Sequence, residues 1–457
     1  MKSGPINKEI SFPIFDGEGS YSIGCLTISP SRPDIIWVGS GESNSQRSVA
    51  YGDGVYKSED GGASWQNMGL KRSLHIGRII IHPTNSDVVW VAAEGPLWGP
   101  GGDRGVYKTT DGGKTWNLVL EIDENTGVVD MVADPRDPDV IYAASYQRRR
   151  HTWTLINGGP GSGIHKTTDG GTTWTELKSG LPGTDMGRIG LALAPKAPDT
   201  VYAIVEAAKD KGGFFRTQNG GASWEKMSSY VAGSPQYYNE IIPDPINPDR
   251  VYSMDTFLQV TEDAGKNWRR LSFASKHVDD HALWINPKDT DHLLAGCDGG
   301  VYESFDRGEN WRFFPNLPVT QFYRVAIDND EPFYNVYGGT QDNNSIGGPS
   351  RTTFGHGASN REWFFTLGGD GFKPAIDPTN PNIVYSQWQY GNLHRYDKAS
   401  GENLDIQPQP ELGEILNWNW NSPLLISPHN HERLYYCCQK VFVSEDMGNS
   451  WTKISGA

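Results

Sequence analysis

The chain has 457 residues, a formal net charge of −15 and a pI near 5.2. This acidic balance argues against a nucleic-acid partner, because phosphate binding needs a basic surface. The only dense basic run is Arg148, Arg149 and Arg150, which we interpret as a solvated loop. No apolar stretch has the length of a membrane span, and four cysteines are too few for a disulfide framework.

The first residues, "MKSGPINKEISFP", lack the apolar segment of a signal peptide. The sequence as written therefore predicts a cytoplasmic protein, or an exported one if a signal has been removed. The four cysteines are expected to be reduced. Many glycines (54), prolines (29) and tryptophans (16) favour short strands joined by tight turns over helical bundles.

One pattern, Ser/Thr-x-Asp-x-Gly-x-x-Trp, recurs seven times along the chain. We call each copy a box. Its third position is Asp in six copies and Asn in one. These residues are Asp60, Asp111, Asp169, Asn219, Asp263, Asp306 and Asp446. The Asp side chain can accept backbone N–H bonds within its own turn, and Gly supplies a positive φ, so we predict a structural role for every box.

A Pro-rich turn followed by an apolar strand precedes most boxes, as in "HPTNSDVVWVAAEG". Between the sixth and seventh boxes lie two further units that have lost the box pattern. The sequence therefore predicts nine units of four strands each. Such a period is typical of a β-propeller. The predicted blade units are 20–70, 71–120, 121–180, 181–230, 231–273, 274–316, 317–366, 367–410 and 411–457.

The strand order places the Pro turns and the boxes on one rim and the remaining loops on the other. We expect function on the irregular face, because propellers bind ligands there. Candidate catalytic carboxyls are Glu42, Asp279, Asp342 and Asp370. Candidate substrate-binding residues are Trp98, Arg148, Trp153, Tyr237, Tyr238, Gln341, Asn343, Trp418 and Trp420.

The run "HVDDHALWINP" also contains a candidate metal site. If it leads into a strand, His277, Asp279 and His281 share a face while Asp280 points away. Those three side chains could hold a divalent cation or serve as an acid/base set, and the alternative is a hydrogen-bonded channel lining.

The boxes, together with "GRIIIHPTNSDVVWVAAEGPLWGPGGDRGVYKTTDGG", "HVDDHALWINP", "QFYRVAID", "YGGTQDNNS" and "NWNWNSPLLISPH", resemble the Asp-box (BNR-repeat) propellers. That class includes sialidases, tandem-propeller xyloglucanases and the ten-bladed luminal domain of sortilin. The sequence resembles in particular the bacterial sortilin-like, or BNR-repeat glycosyl hydrolase, group.

This resemblance implies either one large sortilin-type ring or a seven-bladed propeller with part of a second. It also implies a carbohydrate-active propeller with glycoside hydrolase-like action on a polysaccharide. The alternative is a non-catalytic, sortilin-like binding module for peptides or glycans. Neither function requires a cofactor. A divalent cation would bind only at the "HVDDH" run.

Overall fold

The computed structural model describes residues 13–317 and 320–456. Nine antiparallel sheets account for the strands of these residues, six in a unit up to Leu317 and three in a unit from Pro318. Two 3₁₀ turns, Ala208–Asp210 and Asn360–Glu362, are the helical segments among them. Neither turn has the length or apolar character of a membrane-crossing helix.

The first three sheets follow the predicted order of strands. They comprise β1 (Ile23–Ile28), β2 (Ile36–Ser40), β3 (Val55–Ser58) and β4 (Gln66–Gly69); β5 (Ile76–Ile81), β6 (Val89–Ala93), β7 (Gly105–Thr109) and β8 (Asn117–Leu120); and β9 (Thr126–Asp134), β10 (Asp137–His151), β11 (Thr154–Asn157), β12 (Gly163–Thr167) and β13 (Thr175–Leu177). In the third sheet, β11 is a fifth strand that pairs with the end of β10.

The other three sheets of the first unit have four strands each. They comprise β14 (Met186–Leu193), β15 (Val201–Ala207), β16 (Gly213–Thr217) and β17 (Glu225–Ser228); β18 (Ile241–Pro243), β19 (Val251–Ser253), β20 (Gln259–Thr261) and β21 (Arg269–Arg270); and β22 (Asp280–Ile285), β23 (Leu293–Cys297), β24 (Gly300–Ser304) and β25 (Arg312–Phe313).

The second unit has three four-stranded sheets. They comprise β26 (Phe322–Ile327), β27 (Asn335–Thr340), β28 (Ser345–Pro349) and β29 (Phe364–Leu367); β30 (Ala375–Ile376), β31 (Ile383–Trp388), β32 (Asn392–Asp397) and β33 (Asn403–Asp405); and β34 (Leu424–Ser427), β35 (Asn430–Cys437), β36 (Val441–Ser444) and β37 (Thr452–Lys453). The predicted fold class, an all-β protein of nine propeller-type blades, is confirmed among the described residues. The number of blades that close a ring stays a prediction.

Within the first unit, the first strands of consecutive sheets pack side by side, β1 on β5, β5 on β9, β9 on β14 and β14 on β18. In the second unit β30 likewise packs between β26 and β34. Apolar side chains fill the space between neighbouring sheets. Val91 and Ile204, for example, are completely buried. The first strand of each sheet therefore lies innermost, and its following loops converge.

Each box forms a closed network of hydrogen bonds within its own turn. Asp60 Oδ1 accepts bonds from Ser58 Oγ (2.8 Å) and Ser64 N (2.8 Å), and Oδ2 accepts one from Ser64 Oγ (2.6 Å). Two successive glycines, Gly61 and Gly62, adopt φ values of +70° and +91°, which side chains with a Cβ rarely do. The carboxylate is thus saturated locally, as a structural role requires.

The boxes lie on the same rim as the Pro turns, as predicted. Gly61 N donates to Asp34 O (2.9 Å), and Gly112 N donates to Asp87 O (3.0 Å). The box tryptophan also ties neighbouring sheets together, since Trp116 Nε1 donates to Met68 O in the preceding sheet (2.8 Å). The four cysteines are free thiols.

Candidate functional site

On the irregular face of the first unit, the loop after β2 reaches across to four other sheets. Ser45 N donates to Gln236 O (3.0 Å), before the fifth sheet, and Arg188 Nη2 donates to Ser43 Oγ (3.0 Å) from the fourth. Arg150 Nε donates to Ser45 O (2.9 Å) from the third, and His75 Nδ1 lies 2.8 Å from Glu42 O. This loop therefore covers the centre of the first unit.

Arg148 is a buried structural residue, which corrects our interpretation of residues 148–150 as a solvated loop. They lie on the extended β10, and the Arg148 side chain is 1% exposed. Its Nη1 is 3.0 Å from Glu94 Oε2 and donates to Asn44 O (2.6 Å). Burial lowers the pKa of Arg148 against the attraction of Glu94. Arg148 is therefore a structural residue and not one that contacts substrate.

Glu42 is likewise engaged within the covering loop. Its Oε2 accepts bonds from Asn44 Nδ2 (3.2 Å) and Ala50 N (3.3 Å). The two predicted tryptophans of this face remain exposed. Trp153, at the tip of the β10–β11 hairpin, stacks on His151 with ring centroids 5.5 Å apart, and Trp98 lies in the loop after β6.

Glu206 borders a cavity of about 300 Å³ on the same face, together with Asn157 and Asp185. Its carboxylate accepts bonds from Asn157 Nδ2 (2.7 Å) and Arg188 N (3.2 Å). Burial raises the pKa of Glu206, and these two hydrogen bonds lower it. The described residues that line this cavity include no aromatic side chain.

The strongest candidate for chemistry is a pair of carboxyls, Asp279 and Asp298, at the sixth sheet. Oxygens of the two carboxyl groups lie within 4.8 Å of each other. Asp279 stands immediately before β22, and Asp298 follows β23, so that the hairpin brings them opposite. The backbone fixes this approach, because Asp298 N donates to Asp279 O (3.2 Å) and Asp279 N donates to Thr256 O (2.8 Å).

The surroundings of Asp279 favour its protonated form. Burial raises its pKa, a hydrogen bond from the Tyr238 hydroxyl lowers it, and the negative charge of Asp298 raises it again. Burial and the neighbouring carboxylate also raise the pKa of Tyr238. Asp279 has φ +63°, an uncommon conformation for a residue other than glycine, and such strain is often found at functional sites.

Aromatic rings surround the pair. His281 stacks on Tyr238 with centroids 5.3 Å apart and meets Tyr237 edge-on at 4.8 Å. His281 Nε2 lies 3.0 Å from Asp298 Oδ1, which is an ion pair when the imidazole is protonated. Tyr237 and Tyr238, both predicted for substrate binding, thus lie beside the acids.

The predicted cation set does not share a strand face, because β22 begins only at Asp280 and the chain turns at Asp279. Among the described residues, the ligand atoms of His277, Asp279 and His281 do not all lie within 4.8 Å of one another. His277 Nδ1 lies 2.9 Å from Val278 O. Asp280 is buried, and its Oδ1 lies 2.6 Å from Lys276 Nζ. A divalent cation stays a prediction.

Sequence reasoning missed Asp298. The signal was available, because the Pro turn at 286–291 joins two strands whose antiparallel register pairs Ile285 with Leu293 and Asp280 with Cys297. Counting outward along that hairpin places Asp298 opposite Asp279. The two carboxyls lie in different connections, one before β22 and one after β23, so inspection of single loops does not reveal the pair.

In the second unit, most of the predicted residues form another cluster on the irregular face. The Tyr323 hydroxyl donates to Gln341 Oε1 (2.6 Å), and Asn343 Nδ2 donates to Gln341 O (3.0 Å). Asp342 N donates to Asp370 Oδ1 (3.0 Å). The Asp370 side chain is 1% exposed, so it is a buried anchor and not a surface acid.

The two predicted tryptophans of this unit differ in their environment. Trp418 stacks on Tyr436 with centroids 5.0 Å apart and belongs to the core between the last two sheets. Trp420 is exposed and meets Tyr390 edge-on at 5.2 Å. Trp420 therefore remains a candidate for ligand contact, whereas Trp418 packs the fold.

Comparisons with known proteins agree with this architecture. The family model described as "Sortilin, neurotensin receptor 3" (Sortilin-Vps10) matches residues 53–211. A probable oligoxyloglucan-reducing end-specific xyloglucanase from Neosartorya fischeri is 23% identical over 352 residues, which are 68% of this chain and 36% of that protein. The chain thus spans about a third of the length of this curated relative.

Two solved structures align with most of this chain. PorZ, a surface component of the type-IX secretion system of Porphyromonas gingivalis, aligns with a TM-score of 0.50 and 12% identity, over 97% of this chain and 55% of that one. The GH74 enzyme of Niastella koreensis aligns with a TM-score of 0.41 and 16% identity, over 93% of this chain and 68% of that one. At this identity the likeness to PorZ concerns the fold alone.

Proposed function

We propose that this chain, a sortilin-like Asp-box repeat protein of propeller-type blades, cleaves glycosidic bonds of a polysaccharide on the irregular face of its first unit. One observation carries the proposal: Asp279 and Asp298 bring carboxyl oxygens within 4.8 Å of each other, beside aromatic rings. The similarity to a protein named as a xyloglucanase supports the substrate class.

The spacing favours hydrolysis with retention of configuration. Retaining glycosidases hold their two carboxyls about 5–5.5 Å apart, whereas inverting enzymes need about 6.5–9.5 Å to admit a water molecule between acid and base. Carboxyl oxygens of Asp279 and Asp298 that lie within 4.8 Å of each other are closer to the retaining range than to the inverting one.

The two environments assign the roles. Asp279 is the general acid, because burial and the neighbouring charge raise its pKa. Asp298 is the nucleophile, and the His281 imidazole at 3.0 Å orients it. Asp298 attacks the anomeric carbon as the glycosidic C–O bond breaks, and Asp279 gives its proton to the departing oxygen. Water then attacks the glycosyl ester, Asp279 takes one of its protons, and Asp298 leaves as carboxylate.

The aromatic side chains contribute binding and not proton transfer. Tyr237 and His281 present ring faces and edges beside the acids, which suits the apolar faces of sugar rings. The Tyr238 hydroxyl holds Asp279 in place.

A screen of polysaccharides with analysis of the released oligosaccharides tests the proposal. We expect turnover of at least one glycan by the wild-type chain and its loss in Asp279→Asn and Asp298→Asn. Asp263→Asn is the matched control, because Asp263 lies in a box of the preceding sheet. Binding of glycans or peptides without turnover would replace the proposal with the binding-module alternative.

The same screen, repeated with a chelator, tests the predicted divalent cation. The acid pair works without metal, so we expect unchanged turnover. Turnover that disappears with the chelator and returns with a divalent cation would contradict this assignment of roles.

A further inference from the structure

We propose that the irregular face of the second unit carries a glycan-binding platform that does not take part in catalysis. The platform consists of Tyr323, Trp388, Tyr390 and Trp420, with Gln341 and Asp370 among them. It rests on the proposed function for its class of ligand but shares no residue with the acid pair.

Four separate connections on the irregular face supply Gln341, Asp370, Tyr390 and Trp420, whereas Tyr323 lies near the start of β26 and Trp388 at the end of β31. Gln341 lies between β27 and β28, and Asp370 lies in the link from β29 to β30. Tyr390 lies between β31 and β32, and Trp420 lies in the link from β33 to β34. Three consecutive sheets therefore direct polar and aromatic side chains to one place, and none of these residues belongs to the repeated box.

The four aromatic rings are exposed, and three of them, those of Tyr323, Tyr390 and Trp420, are linked by contacts. The exposed fractions of the four side chains lie between 39% and 59%. Trp420 meets Tyr390 edge-on at 5.2 Å, and its indole hydrogen-bonds with the Tyr323 hydroxyl. Tyr323 in turn packs on the buried Phe372 with centroids 5.3 Å apart. Rings fixed in this way lose little freedom on binding, which favours their use as stacking surfaces.

Polar groups among the rings select a ligand that carries hydroxyls. Asp370 Oδ2 is buried and has no hydrogen-bond partner among the described residues, while Oδ1 is used by Asp342 N. Burial, Asp370 and Asp342 raise the pKa of Tyr323, which shows that both carboxyls lie near its hydroxyl. An apolar protein partner offers this unmet acceptor no donor, whereas a sugar brings hydroxyl donors together with an apolar ring face.

Affinity electrophoresis and calorimetry with xyloglucan, arabinoxylan and galactomannan test the platform. We expect the full chain to bind at least one of them, and Trp420→Ala and Tyr390→Ala each to weaken that binding at least tenfold. Phe365→Ala is the control, because Phe365 is 66% exposed on β29 of the same unit and away from the platform. It is expected to bind as the wild type does, and thermal melting checks that all three variants are folded.

The result that overturns the platform is wild-type affinity in folded Trp420→Ala and Tyr390→Ala chains, or no binding of any of these polysaccharides. Asp279→Asn separates the two proposals. If it retains binding while turnover is lost, both stand. If the wild type binds through the rings but releases no product from any glycan, the platform stands and the proposed cleavage fails.

Discussion

The box carboxylate Asp169 and the loop carboxylate Asp279 are the same side chain in opposite situations. Asp169 is exposed and accepts three hydrogen bonds from Thr167 and Thr173, which lower its pKa to about 2. Asp279 is half-buried, and burial raises its pKa. A carboxylate saturated by its own turn is a structural element. One that is desolvated beside a second acid keeps its proton available for chemistry.

The largest effect is expected for Asp279, whose carboxyl is not saturated by hydrogen bonds within its own turn. Asp279→Asn removes the proton donor, and we expect turnover to fall about 10²- to 10⁴-fold, the usual contribution of a general acid. The melting temperature should change little, because Asp279 keeps its backbone hydrogen bonds. Rates on a hydrolysed polysaccharide, measured together with melting curves, check both parts.

The buried ion pair of the first unit should show the next largest effect. Arg148→Met leaves Glu94 buried without its partner, which typically costs about 3–5 kcal/mol in the free energy of unfolding. Arg307→Met breaks an exposed pair with Asp291 and should leave the denaturation curve almost unchanged. Equal curves for the two variants would contradict the structural role of Arg148.

A shift in pH dependence should be smaller but informative. The acid must be protonated, so turnover falls as the pH rises through the raised pKa of Asp279. Tyr238 stabilises the charged form by its hydrogen bond, so Tyr238→Phe should raise that pKa further and move the alkaline limb to higher pH. An alkaline limb that stays in place, or moves to lower pH, would contradict the assignment.

The smallest effect should come from exchanging one atom in a box. Asn219 already occupies one box and keeps the bonds of the carboxylate, accepting from Ser223 N (3.0 Å) and donating to Ser223 Oγ (2.9 Å). Asp169→Asn should therefore melt close to the wild type, and Asp169→Ala a few degrees lower.

The same box has a pH signature. The pKa of the Asp169 carboxyl is lower in the folded chain than in the unfolded one. The contribution of this carboxylate to stability is therefore present above pH about 4 and is lost as the pH falls through about 2. Melting curves of wild type and Asp169→Asn across this range check the sign. The wild type should lose more stability on acidification than the variant does.

The sheets could be predicted from the sequence because the same turn motifs recur in most blades. The box aspartates, glycines and tryptophans mark one hairpin per unit, and the Pro turns mark the other. The burial of Arg148 could not be predicted, because it depends on an extension of β10 and on Glu94 from another sheet.

The candidate sites were predictable only in part. Tyr237, Tyr238 and Asp279 lie together as their common position on the irregular face suggested, but Asp298 came from the far end of a hairpin. Asp370, predicted as a catalytic candidate, and Trp418, predicted for substrate binding, are packed into the fold, which depends on the packing of Asp342 and Tyr436 against them. Distances between loops of different blades follow from tertiary packing and not from local pattern.

The most direct test of the acid pair is the configuration of the first sugar product, followed by proton NMR before mutarotation, on a polysaccharide that the chain hydrolyses. Carboxyls within 4.8 Å predict that the anomeric configuration of the cleaved bond is retained. Release of the inverted anomer would contradict the account, because inversion requires a water-activating base in the place of the Asp298 nucleophile.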